Sequence, residues 1–433
     1  FFQGEGSIDI PVQDIISWIF DQARYEIEKP VINHPQPIES WTLMQQNTQV
    51  YIDASDTSRS ISWRQARTLV RQLAAGLRAA GLKDGDAYAF ILSMMYAPQP
   101  EIICFSYDLR LHIDQIYYSI LVLGIIAAGG IYMGTNPGYT SHELDYHLRV
   151  AQAKFVISDP EMLDRMIPAA EGNGIPKDRI WAFTTRESQV IATTGLAHWT
   201  ALLKHGEAAW RRLDDPNHAK TTVVARLFSS GTTGLPKPVD FTHYNLIAQH
   251  TLVYDAHPVP FEVRTACPGS IPHLADVLNK SDPLSPFFHA AAAPSAHFST
   301  LRLGDPSYVL RRFEPDLFLT TVAKHNITEC TAVPPIILTI LSHCTTPKYS
   351  HSLQSLKIVR CGAAPLDKTT QARFQSLLAP DATFTQVWGM TESSCIATMI
   401  PYPESDDTGS VGRLLPGMEA KIINTDGDDI TAP

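Results

Sequence analysis

The run Ser229-Ser230-Gly231-Thr232-Thr233-Gly234-Leu235-Pro236-Lys237 concentrates the chemistry of phosphate binding in nine residues of a 433-residue chain. Its four hydroxyls and its backbone N–H groups can surround anionic oxygens, and Lys237 adds a positive charge. Gly231 and Gly234 let the backbone turn tightly and come close to a ligand. The glycines stand three apart and no hydroxyl residue follows the lysine, so this is not a Walker A loop. By composition alone it is either a polyphosphate cradle or an ordinary Ser/Thr/Gly-rich surface loop.

The elements around it must hold such a loop rigidly. Val223 to Ser229 reads as a strand feeding directly into the run. Upstream, Ser62 is placed to cap a helix whose apolar positions Ala66, Leu69, Val70, Leu73 and Leu77 keep the helical period, with Gly81 ending it. Tyr88 to Leu92 reads as a strand, Glu143 to Ala151 as a helix and Lys154 to Ser158 as a strand. Leu356 to Arg360 is a short strand before Gly362. This alternation predicts an α/β fold with buried, largely parallel strands.

Composition excludes several roles. A formal net charge of −10 gives no general attraction to nucleic acid or anionic membrane. Six scattered cysteines, with no CxxC pair, suit a reducing compartment and neither a disulfide framework nor a zinc site. Ile116 to Met133 is nearly all apolar and about long enough to span a bilayer, but its glycines and lack of a basic flank favour a buried helix running into a buried strand. Phe2-Gln3-Gly4 looks like the remnant of a protease site.

The nine-residue run resembles the signature loop of the adenylate-forming superfamily of acyl- and aryl-CoA synthetases. Further segments match in order: Thr242-His243-Tyr244-Asn245-Leu246, Gly362-Ala363-Ala364-Pro365-Leu366, Gln386-Val387-Trp388-Gly389-Met390-Thr391-Glu392, and Gly409-Ser410-Val411-Gly412-Arg413. The likeness spans about residues 8 to 430 and is closest to 4-coumarate–CoA ligase-like enzymes. It implies the large N-terminal region of that fold: a first α/β subdomain (8–222), a second with the ATP site (223–400) and the start of a β-rich part (401–433). The Thr-Gly-Asp motif with its ribose-binding aspartate, and beyond a hinge the mobile C-terminal domain with its catalytic lysine, are expected to lie outside this sequence.

The resemblance also implies roles. Ser229, Ser230, Gly231, Thr232, Thr233, Gly234 and Lys237 would form the cradle for ATP, with Thr232, Thr233 and Lys237 on the β- and γ-phosphates. Gly362, Ala363 and Ala364 would pack along the adenine, and Gln386, Trp388, Gly389 and Met390 would border it. Trp388, where the family more often has Tyr, would stack on the base. Thr391 would touch the α-phosphate and Glu392 would help hold Mg²⁺, a hard ion suited to oxygen ligands. His289, in Pro286-Phe287-Phe288-His289, would orient the carboxylate or gate the acyl pocket; the other reading is a hydrogen-bonded core histidine. The implied reaction joins a small-molecule carboxylic acid to AMP with release of pyrophosphate, then transfers the acyl group to CoA in the complete enzyme.

Three segments interrupt the family pattern: Val31 to Gln49, Met95 to about Asp114, and Thr265 to about Ser285. They read best as introns translated in frame, with surface insertions as the alternative. Competing functions are a peptide-synthetase-type adenylation domain, disfavoured because no aspartate follows Pro286 to pair an amino group, and a truncated or mis-spliced inactive fragment. No nucleic-acid partner, membrane span or obligate protein partner is expected, and the location is intracellular, cytoplasmic or peroxisomal.

Overall fold

A computed structural model describes residues 2–21, 48–91, 115–136, 139–184, 194–213, 215–229, 235–268, 294–310 and 313–430. In chain order its strands begin with β1 (Phe2–Gln3), β2 (Gln49–Asp53), β3 (Ser60–Ser62), β4 (Ala87–Ile91), β5 (Ile131–Gly134), β6 (Ala153–Ser158) and β7 (Ile180–Ala182). Then come β8 (Ala197–His198), β9 (Val223–Ser229), β10 (Lys237–Thr242), β11 (Thr265–Pro268), β12 (Ser307–Leu310) and β13 (Glu329–Ala332). The last are β14 (Ile358–Cys361), β15 (Thr383–Gln386), β16 (Trp388–Met390), β17 (Cys395–Met399), β18 (Arg413–Leu414) and β19 (Glu419–Ala420).

Two seven-stranded sheets dominate. One runs β10-β9-β5-β4-β6-β7-β8, the other β15-β14-β13-β11-β12-β2-β3. Both are parallel except at one edge, where β10 and β3 run antiparallel to β9 and β2. Parallel sheets need cover on both faces, and helices supply it. Helix Trp63–Ala79 begins with Ser62 accepting from Gln65 N while Gln65 Oε1 accepts from Ser62 N. That capping box satisfies two N–H groups left over at the helix start. The helix packs on Tyr118–Ala128, every residue of which is buried.

That second helix and β5 bear out the reading of Ile116 to Met133 as a buried helix running into a strand. Among the described residues no helix is long and apolar enough to cross a membrane. Helix Ser141–Ala151 starts two residues before the expected Glu143, because Thr140 caps it and Glu143 closes the box.

The sheets draw on distant parts of the chain: β9 and β10 complete the first sheet, while β2 and β3, from residues 49–62, complete the second. The small antiparallel sheet β16-β17-β18 takes two of its strands from Trp388–Met399. Thr265–Pro268, read as the start of an interruption, is β11, hydrogen-bonded between β12 and β13 in the middle of the second sheet. The rest of that segment, the segment 95–114, and nearly all of 31–49 lie outside the described residues.

Phe2–Gln3 pairs with Glu419–Ala420, and a side chain at Gly4 would put its Cβ 2.0 Å from the Leu415 carbonyl oxygen.

Candidate nucleotide and acid site

The base of the nine-residue run is a hairpin. Lys237 stands opposite Ser229 in the antiparallel register of β9 and β10, and Lys237 is exposed. Ser229 is buried, and its hydroxyl has no partner among the described residues. A buried hydroxyl without a partner at the mouth of a turn is what a phosphate oxygen would satisfy. Ser230, Gly231, Thr232, Thr233 and Gly234 lie outside the described residues, as does His289.

The turn Thr391–Ser393 lies against β9, so the hairpin and the Thr-Glu pair meet. Its geometry is tightly constrained. Ser393 Oγ accepts from Met390 N (3.1 Å) and bonds the Cys395 carbonyl oxygen (3.0 Å). Ser394 (φ 64°) and Cys395 (φ 112°) take positive φ values that side-chain-bearing residues adopt at a cost. Gly389 is required where β16 meets β17, since a Cβ there would fall 1.6 Å from the Cys395 carbonyl oxygen. Thr391 is buried in this turn and Glu392 is exposed beside it. Trp388 and Met390 share one side of β16 and are open to solvent, Trp388 at 48%. A large exposed indole beside a constrained turn is ready to stack on a planar ring.

The adenine-side turn is built just as firmly. Ala363 sits at φ 68°, and a Cβ at Gly362 would come 2.9 Å from Val387 Cγ2. Gln386 spends its whole amide on this turn. Its Oε1 accepts from Leu366 N and its Nε2 donates to Leu366 O, each at 2.9 Å, with a further bond to Gln371 Oε1. Gln386 therefore positions the turn, leaving Ala363 and Ala364 exposed to a ligand. Gln371 in turn donates to the Asp406 carbonyl oxygen, and the Asp406 carboxylate collects Gly409 N, Ser410 N and the Thr408 hydroxyl. The 409–413 segment is thereby drawn to the same place.

One feature escaped the sequence reading. Arg360 and Glu329, on neighbouring strands β14 and β13, form a buried ion pair, with 5% and 6% exposure. Burial opposes the guanidinium charge, but the Glu329 carboxylate and then Tyr254 outweigh it and raise the Arg360 pKa. Tyr254 covers the guanidinium at 5.9 Å. The signal was a lone arginine, Arg360, in a short apolar strand two positions before Gly362.

These parts fit a nucleotide on donor chemistry, ring exposure and glycine clearance. Among the described residues no group of three or more His, Cys, Asp or Glu could hold a metal by itself. A lone carboxylate such as Glu392 suits an ion carried in largely by phosphate oxygens.

Comparison with known proteins agrees. The model of the family described as AMP-binding enzyme matches residues 115–432. The acyl-CoA ligase azaF of Aspergillus niger is 83% identical over the whole chain, which covers 71% of that relative. The phenylacetyl-CoA ligase epaB of Aspergillus niger is also 83% identical, with 70% of it covered. In fold, the chain is similar to ATP-bound MatB from Rhodopseudomonas palustris, with a TM-score of 0.68 at 21% identity, over 96% of this chain and 67% of that one.

Proposed function

The chain belongs to the AMP-binding enzyme family, and on that premise we propose that it activates an aromatic or arylacetic acid with ATP, giving acyl-AMP and pyrophosphate, for transfer to CoA. The observation that carries the reading is the contact of β9, which leads into the nine-residue run, with the turn Thr391–Ser393, next to the turn Gly362–Leu366 that Gln386 and Val387 hold. The acid class rests on the relative named a phenylacetyl-CoA ligase.

A carboxylate is a poor electrophile, and attack on the α-phosphate concentrates negative charge on phosphate oxygens. Donors already in place lower that barrier without reorganising. Lys237 balances charge on the outer phosphates, the Ser229 hydroxyl completes the cradle, and Thr391 meets the α-phosphate. Ala363 and Ala364 pack along the adenine and Trp388 stacks on it. Glu392 would hold Mg²⁺, which supplies charge neutralisation across the phosphates. The strain at Ala363, Ser394 and Cys395 is the cost of holding these groups before the ligand arrives.

Calorimetric titration with Mg-ATP, beside the double variant Thr233→Ala, Lys237→Ala, tests the reading. Saturable binding weakened at least tenfold in the variant, with phenylacetate-dependent pyrophosphate release by the complete enzyme, is expected. Equal ATP binding by both proteins would reject the cradle. Turnover with aliphatic acids alone would reject the acid class.

A further inference from the structure

The hairpin that presents Lys237 is gripped from one side by helix Ser141–Ala151. Three attachments are spaced along the helix. The Ala151 carbonyl oxygen accepts from Arg226 Nη1 (2.9 Å), and Arg226 also holds Asp240 of β10 through two bonds of 2.6 and 3.1 Å. The His147 ring stacks on Phe228 with centroids 3.6 Å apart. The Tyr146 hydroxyl donates to the Pro236 carbonyl oxygen (3.1 Å).

The first two attachments fasten the body of the hairpin, and the third is of another kind. Proline has no N–H, so its carbonyl is the one polar backbone handle at position 236. Lys237 follows directly, at the point where the chain re-enters the ladder opposite Ser229. The orientation of the Pro236 peptide therefore sets where Lys237 starts. Tyr146 is itself steadied by Arg149, whose guanidinium lies 5.8 Å from the ring centre and is bridged to Asp145 at 3.8 Å. Burial depresses the His147 pKa to about 3, so this support carries no charge that varies near neutral pH.

We propose that Tyr146 is a positioning residue for ATP binding, holding the Pro236 carbonyl so that Lys237 is aimed at the phosphates. The inference rests on the reading of Lys237 as a phosphate contact. Tyr146 is half-buried and lies outside the helix's buried face of Leu144, His147, Leu148 and Ala151, so removing its hydroxyl leaves the core intact.

The test compares wild type, Tyr146→Phe, Lys237→Ala and the double variant by Mg-ATP calorimetry, with the acid KM and melting temperature measured for wild type and Tyr146→Phe. Tyr146→Phe is expected to weaken ATP about three- to tenfold, the range of one lost hydrogen bond, with acid KM and melting temperature unchanged. In the Lys237→Ala background the same substitution should have no further effect. ATP affinity unchanged in Tyr146→Phe while Lys237→Ala weakens it would overturn the positioning role and leave the cradle standing. Equal loss in both backgrounds would show that Tyr146 does not act through Lys237. No loss in Lys237→Ala would overturn both readings, and a lowered melting temperature with raised acid KM would reduce Tyr146 to a structural residue.

Discussion

Replacing Arg360 with Met should unbalance the second sheet, and the size of the effect follows from burial. Arg360 and Glu329 are almost fully enclosed, and they neutralise each other. Arg360→Met keeps the volume but leaves the Glu329 carboxylate buried without its partner, at a cost of about 3–5 kcal/mol. At about 2 °C per kcal/mol, that is a fall in melting temperature of roughly 6–10 °C. Glu329→Leu should cost a similar amount by stranding the guanidinium. The double variant Arg360→Met, Glu329→Leu places two apolar side chains together and should lie within about 1 kcal/mol of wild type. Thermal melts of the four proteins measure all of this. A single variant within about 2 °C of wild type, or a double variant as unstable as the singles, would refute the account.

Gly389→Ala should open the β16–β17 hairpin, because its new Cβ meets the Cys395 carbonyl oxygen at 1.6 Å; ATP affinity by calorimetry should fall more than about tenfold. Gln386→Leu removes the partners of Leu366 N–H, Leu366 O and the Gln371 amide, and should cost about 2–4 kcal/mol in urea melts, with ATP bound more weakly. Burial holds both His147 and His243 near a pKa of about 3, with Arg211 adding to the effect at His243. Both stay neutral in the folded protein while the unfolded chain takes up protons below its ordinary value near 6.5. Stability should therefore be level above pH 7 and drop by about 4 kcal/mol for the pair on reaching pH 5, and urea melts that stay flat across that range would contradict it.

Local features were legible in the sequence. The strand Val223–Ser229, the Ser62 cap and the buried Ile116–Met133 run depend on neighbours a few residues apart, which periodicity and turn chemistry report. The order of the sheets was not, because it depends on partners far along the chain. Nothing near Gln49–Ser62 shows that it pairs with β12 rather than with β4, and nothing near Thr265 shows a vacancy between β12 and β13. The same holds within the site. Arg360 looks like an oddity in an apolar strand until the register of β13 and β14 brings it to Glu329. The motif places Gln386 at the adenine, and the partners of its amide, Leu366 and Gln371, emerge only with the fold.

The interlaced sheets have a consequence during synthesis. β2 and β3 leave the ribosome early, but their place in the second sheet is beside β12, where Tyr51 aligns with Ser307. At about 5–20 residues per second, the roughly 250 intervening residues take about 10–50 seconds to appear. Throughout that interval the nascent chain carries two strands of a sheet whose other five have yet to be made, an open edge of the kind that invites pairing with other chains. The first sheet completes with β10 while the second still lacks its centre, so chaperone binding to stalled nascent chains should be densest between the appearance of Thr242 and Leu310.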